Sequence, residues 1–100
     1  MKLQMHSINF DPNQQLNSFI QQRVNKLETF YDRIIDGEVF MKDNGSQGGT
    51  DNKEVEIRLF VPGSTLFSQE NAASFEAAAD AAVDAMRRQL KRHKQKQATH

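Results

Sequence analysis

The residues best suited to chemistry lie near the C-terminal end. Between Ala85 and His100 stand Arg87, Arg88, Lys91, Arg92, Lys94 and Lys96, with His93 among them and no acid. The rest of the chain carries 7 basic side chains (13 − 6) against 13 acidic ones, so a formal net charge of zero conceals a cationic end and an acidic body. Such polarity presents one end to an anionic partner while the body discourages indiscriminate adsorption. Cations near a helix C-terminus also complement the macrodipole, which would account for one or two of the six but not for the cluster. Phosphate contact is the chemistry this run suits.

Other candidates are weaker. His6, His93 and His100 are scattered, with no carboxylate at metal-ligand spacing, so no metal site is expected. Within the basic run, His93 reads either as a surface imidazole or as a stacking or phosphate contact. Asp32 and Asp36, four apart near the end of an expected helix, read as solvated carboxylates rather than a general acid/base pair. Gly45, Gly48 and Gly49 lack the lysine and hydroxyl residue that close a phosphate loop, and no helix follows them; a flexible hairpin connection is the expectation. No nucleophile elbow is present. The chain is thus not expected to be an enzyme, to hold a cofactor or to take a small-molecule substrate.

With 100 residues, 37% of them hydrophobic, the chain has room for one compact domain and offers little depth for an enclosed pocket. Zero cysteines exclude disulfides and thiolate sites. Met1-Lys2-Leu3-Gln4 lacks the apolar run of a signal peptide, and no stretch approaches the roughly 20 apolar residues of a membrane span. A cytoplasmic protein without a membrane partner is expected.

The elements that must position the cations can be read from periodicity. Lys2 to Phe10, with Leu3 and Met5 alternating, reads as a strand. Asp11-Pro12-Asn13-Gln14 reads as a helix start, with Asp11 the cap and Pro12 the first helical residue. Leu16, Phe19, Ile20, Val24, Leu27, Phe30, Tyr31 and Ile34 then recur at three- and four-residue spacing, predicting a helix of about six turns that closes near Gly37. Glu38 to Lys42 reads as a second strand, in one sheet with the first through a right-handed crossover. Asp43 to Asn52 reads as loop. Val55, Ile57, Leu59 and Val61 alternate through a third strand, Pro62-Gly63 turns the chain, and Thr65 to Glu70 makes a fourth strand in which either Leu66 or Phe67 points inward.

From a cap at Ser74 a second helix follows, with Phe75, Ala79, Ala82, Val83, Met86 and Leu90 on one stripe. Arg87, Arg88, Lys91 and Arg92 fan out on the other side, and the basic run reaches roughly two turns past Leu90. The layout predicts an α+β fold: one domain, β-α-β-β-β-α, a four-stranded sheet with two helices packed on one face. Residues 1–96 would form the domain and 97–100 a short tail. Arg23 and Lys26 add a smaller basic patch on the first helix, which would join the larger one if the helices lie side by side.

Two stretches resemble the ribosome hibernation promoting factor family. Leu27-Glu28-Thr29-Phe30-Tyr31-Asp32-Arg33-Ile34 is similar to the family's Leu-Glu-x-aromatic-aromatic-Asp-Arg-Ile ending of helix one. Arg88-Gln89-Leu90-Lys91-Arg92-His93-Lys94-Gln95-Lys96 is similar to its Arg-Gln-Leu-x-Lys-His-Lys-x-Lys run on helix two. The likeness extends from Leu3 to about Lys96 and is weakest from Asp43 to Ala73. It implies a protein that sits in the mRNA channel of the small ribosomal subunit, across the A- and P-site tRNA positions, contacts ribosomal RNA, competes with mRNA and tRNA and silences idle ribosomes by occlusion. Carried over by position, the implied contacts are Arg23 and Lys26 on helix one and Arg88, Arg92, His93, Lys94 and Lys96 on helix two. Arg33 matches the Asp-Arg pair, where Asp32 offers a structural salt bridge as the other explanation. Arg87 and Lys91 join the set from the charge reading alone. Because the chain stops just after the second helix, the resemblance implies a short form without the domain that long forms use to pair ribosomes.

Two other readings remain open from the sequence. One is a protein-interaction regulator of the transcription machinery, with the basic helix meeting an acidic protein face. The other is a generic double-stranded RNA-binding module.

Overall fold

The computed structural model describes residues 1–45 and 52–98. Along the chain run β1 (Lys2–Ile8), α1 (Gln14–Asn25), a 3-10 turn (Lys26–Thr29), β2 (Asp36–Asp43), β3 (Lys53–Val61), β4 (Ser64–Ala72) and α2 (Phe75–Ala98). The expected α+β order is present, and the four strands form one sheet in the order β1-β2-β3-β4. β1 pairs with β2 in parallel, and the two later pairings are antiparallel hairpins.

Alternation places Val39, Met41, Val55, Ile57, Leu59 and Val61 on one buried face. Against that face lie Ile20 and Val24 of α1, Leu27 of the 3-10 turn, and Ala78, Ala79, Ala82, Met86 and Leu90 of α2, all buried. The alanines keep the first half of α2 slender enough to lie close to the sheet. There the hydroxyl of the buried Ser68 on β4 donates to the Ala82 carbonyl at 2.9 Å. Leu66 is the inward residue of its pair, packed against the core, whereas Phe67 is 46% exposed. The Ser74 cap is as expected, its hydroxyl accepting from the Ala77 amide at 3.1 Å.

The first helix is shorter than its periodicity suggests. α1 has 12 residues and tightens at Lys26 into the 3-10 turn. Thr29 turns its hydroxyl back to the Lys26 carbonyl at 2.7 Å, a local bond that competes with continued α-helix. Phe30 and Tyr31 then direct their amides to the same Leu27 carbonyl, at 3.0 and 3.3 Å. The apolar spacing persisted because Leu27, Tyr31 and Ile34 still face the core through an irregular segment. Asp32 and Asp36 are accordingly not on a helix: Asp32 lies in a turn and Asp36 opens β2. Gly37 does not close a helix either. It is buried in β2, where a Cβ would stand 3.0 Å from both Leu3 Cδ1 and Leu59 Cδ2.

The start of α1 also shifts. Asn13, not Asp11, is the cap, its Oδ1 accepting from the Leu16 amide at 2.8 Å, and Pro12 precedes the helix. β1 ends at Ile8 because Asn9 takes a positive φ of 72° and reverses the chain, which brings Phe10 into a stack on Phe75 at 4.5 Å. Asp43 and Lys53 pair at 2.9 Å beyond the last core residues of the β2–β3 hairpin, and the Asn44 amide donates to the Asn52 carbonyl at 2.9 Å. Gly45 is described, whereas Gly48 and Gly49, the remainder of the glycine-rich reading, lie outside the described residues.

The sheet face away from the helices carries polar and aromatic side chains. His6 stacks on Phe40 at 4.6 Å and approaches Glu38 at 3.2 Å, while the Arg58 guanidinium covers the same ring at 4.9 Å. This packing gives His6 a structural setting on the open face of the sheet.

Because Met86 is fully buried between the sheet and the basic half of α2, Met86→Ala should lower unfolding stability by about 2–5 kcal/mol. Chemical denaturation with an unchanged slope would register it as a loss of core packing.

Candidate nucleic-acid interface

β1 and β2 are parallel and β4 is antiparallel to β3, so the segments that follow β1 and β4 return in the same sense. Side-chain contacts mark this alignment: Arg23 meets Asp80, Phe30 meets Arg87, and Tyr31 meets both His93 and Gln97. The cations of the first helical region therefore do stand beside α2, but not beside its basic end.

Arg23 is partly neutralised there. Its Nε lies 3.3 Å from an Asp80 carboxylate oxygen, and its guanidinium covers the Phe19 ring at 4.8 Å. Lys26 shares a shallow cavity of about 200 Å³ with Arg23, Phe19 and Gln22. The joined surface expected from the sequence is thus interrupted at Asp80, because the acidic half of α2 is what lies next to α1.

Along α2, Glu76, Asp80 and Asp84 come first and the bases follow. At the changeover Asp84 holds two arginines, Arg87 Nη2 at 2.8 Å and Arg88 Nη1 at 2.5 Å. The hydrogen bond from Arg87 and the charge of Arg88 keep the Asp84 carboxyl below the usual carboxylate range. Beyond this point the acids cease. Among the described residues no carboxylate lies within ion-pair distance of Lys91, Arg92 or Lys94, and all three side chains are exposed.

These cations wrap around the helix rather than forming one row. Arg87, Lys91 and Lys94, at spacings of four and three, line a cavity of about 310 Å³ with Phe30. Arg92 and Lys96 line another, of about 200 Å³, with Ser64 and Leu66 beside the β3–β4 turn. Arg88 is exposed between these two sides. Arg33 sits apart on the exposed turn before β2, and among the described residues it forms no ion pair with Asp32.

His93 differs from its neighbours. It is half-buried, edge-to-face against Tyr31 with ring centres 5.5 Å apart, and its Nε2 is enclosed without a hydrogen-bond partner. Tyr31, only 4% exposed, donates its hydroxyl to Gln97 Oε1 at 2.6 Å. The helix past Leu90 is therefore anchored by a tyrosine from the connection between the 3-10 turn and β2. Periodicity marked Tyr31 as apolar core, and only its phenolic hydroxyl hinted at a polar tether.

What this surface can do is bind phosphate. Exposed lysines and arginines on two sides of one helix can follow a curved or folded polyanion. Among the described residues there is no cluster of three metal-ligating side chains, and no helix is long and apolar enough to cross a membrane. Fold and surface together define a small β-α-β-β-β-α domain that presents a cationic helix.

Comparison with known proteins adds the lineage. Residues 3–98 match the family described as "Sigma 54 modulation protein / S30EA ribosomal protein", and the chain belongs to that family. It is 29% identical over 97 residues to a ribosome hibernation promoting factor of Pseudomonas putida, covering 97% of this chain and 90% of that one. A ribosome hibernation promotion factor of Deinococcus radiodurans is 26% identical over 91% of this chain, which spans only about half (48%) of that relative. Among solved structures, the N-terminal domain of Thermus thermophilus Protein Y superposes with a TM-score of 0.80 at 22% identity, covering 93% of this chain and 99% of that one. A ribosomal subunit interface protein from Coxiella burnetii gives 0.83 at 20% identity, covering 94% and 98%. At these identities the superpositions speak to the fold.

Two consequences can be measured. A carboxylate whose folded pKa is depressed stabilises the fold above its unfolded pKa and loses that contribution as pH falls through the lowered value. Asp84→Asn should therefore lower thermal stability slightly near neutrality, with the difference from the parent vanishing as the pH falls through the acid range; with Arg87 and Arg88 released, it should elute from a heparin column at higher salt than the parent. Tyr31→Phe should cost about 0.5–1.5 kcal/mol and speed amide exchange in the last turn of α2, while exchange near Ala82 stays at the parental rate.

Proposed function

We propose that this protein is a ribosome hibernation factor that binds the small ribosomal subunit and silences translation by steric occlusion. The observation that carries the reading is the exposed run Lys91, Arg92 and Lys94, set without carboxylate partners among the described residues on a helix anchored at both ends. The names of the relatives, ribosome hibernation factors of Pseudomonas and Deinococcus, support the ribosome as the target.

In this reading the sheet acts as a rigid plate and α2 as the contact element. Arg88, Lys91, Arg92, Lys94 and Lys96 meet ribosomal RNA phosphates in the mRNA channel and the A- and P-site region, where the bound domain excludes mRNA and tRNA. Arg87 contributes from the Asp84 clamp, Arg23, Lys26 and Arg33 from more peripheral positions, and His93 chiefly by seating the helix against Tyr31. Occlusion needs no bond made or broken. It requires only that cationic contacts outweigh those of the ligands displaced.

Replacing Arg88, Arg92 and Lys94 together with glutamine should weaken co-sedimentation with small subunits and reduce the slope of log affinity against log salt by roughly two to three. Parental binding across a salt series would remove these residues from the interface. Added mRNA and tRNA should displace the parent protein from the subunit.

A second reading takes the other half of the family's description, sigma 54 modulation. There the basic helix would meet an acidic protein face. Nuclease treatment of a lysate separates the two, because a ribosomal association is RNase-sensitive and a transcription-protein association is not.

A further inference from the structure

One exposed residue on the cationic side is neither charged nor accounted for by the core. Phe30 is 45% exposed although both neighbouring core positions, Leu27 and Tyr31, are buried. Its backbone is held by the bond from its amide to the Leu27 carbonyl at 3.0 Å, so the ring is displayed from a fixed base. Around it stand Arg87, Lys91 and Lys94, which with Phe30 line the cavity of about 310 Å³. The Arg87 guanidinium lies 5.8 Å from the ring centre and is restrained on its other side by Asp84.

We infer that Phe30 is a base-stacking platform and that Phe30, Arg87, Lys91 and Lys94 form a site for one unstacked nucleotide of single-stranded RNA. The inference rests on the ribosomal reading for the source of that RNA, a single-stranded stretch of ribosomal RNA. An exposed aromatic ring accepts any base through its π-face, and flanking cations take the phosphates on either side. Paired RNA cannot use such a site, since its bases are already stacked and their faces covered. The three cations make an acidic peptide less suited, because their spacing around a bare ring offers a stacking surface that a carboxylate does not fill. The pre-fixed ring also loses little freedom on binding, having two side-chain torsions and a constrained backbone.

The test uses the full chain and two oligoribonucleotides of equal length, one adenine-rich and one carrying abasic positions, beside small ribosomal subunits. Phe30→Ala and Phe30→Leu should each weaken binding to the adenine-rich strand about five- to a hundred-fold, leave the salt slope unchanged and leave binding to the abasic strand as in the parent. Phe30→Trp should retain affinity. As the chain contains no tryptophan, that variant reports directly, its emission being quenched by the adenine-rich strand and not by the abasic one. Circular dichroism and melting of each variant verify that the fold is kept.

Parental affinity in Phe30→Leu, equal losses on both strands, equal quenching by both, or no binding of the parent protein to the adenine-rich strand would each overturn the inference. The ribosomal reading fails separately, if the parent protein does not sediment with small subunits. Strand-dependent quenching with that outcome would keep the nucleotide site and discard the ribosome as its source.

Discussion

Burial of one apolar stripe of α2 against β3 and β4 is the interaction on which the rest depends. Ala78, Ala79, Ala82, Met86 and Leu90 are all fully enclosed, and their stacking at three- and four-residue intervals fixes the rotation of the helix about its own axis. That rotation decides where every cation points. A helix turned by a quarter would bury Arg87 or Arg92 and expose Met86, at a cost no surface charge offsets. Binding chemistry and core packing are therefore two faces of one constraint.

The second layer of control comes from polar bonds at the margins of this packing. Ser68 ties the slender first half of α2 to β4, Ser74 caps its start, and Tyr31 holds its far end through Gln97. None is large alone, since a net hydrogen bond contributes about 0.5–1.5 kcal/mol. Together they govern fraying, which matters because the cations occupy the last turns, where helices are least secure. Asp84 adds a different control by restraining Arg87 and Arg88 at the point where the helix changes sign.

Much of this was legible before the structure was known. Strict alternation in β3 and the three- and four-residue spacing of α2 each admit a single arrangement, and both elements appear as expected. The length of the first helix was not legible, because Leu27, Tyr31 and Ile34 keep a helical rhythm while serving a 3-10 turn and an irregular connection. Gly37 misled for a related reason: glycine beyond an apolar run signals a helix end, yet here its missing side chain leaves room for Leu3 and Leu59. In the candidate site, charge counting found the cations of α2 but not what lies beside them. Phe30 and Tyr31 are adjacent aromatics of opposite fate, one displayed and one enclosed. Nothing in their order distinguishes them until the chain tightens after Asn25.

The change of sign along α2 acts at distances where no contact exists. With carboxylates toward its beginning and lysines and arginines toward its end, the helix gives the molecule a permanent separation of charge opposite in sense to its backbone dipole. In the field of a large polyanion that separation is a torque, felt within a Debye length of the surface, and it turns the domain cation-first before any side chain touches. Zero net charge removes the long-range pull that would draw the molecule to every anionic surface, but not the rotation. What is selected during approach is orientation rather than proximity, so that fewer collisions begin from the wrong side.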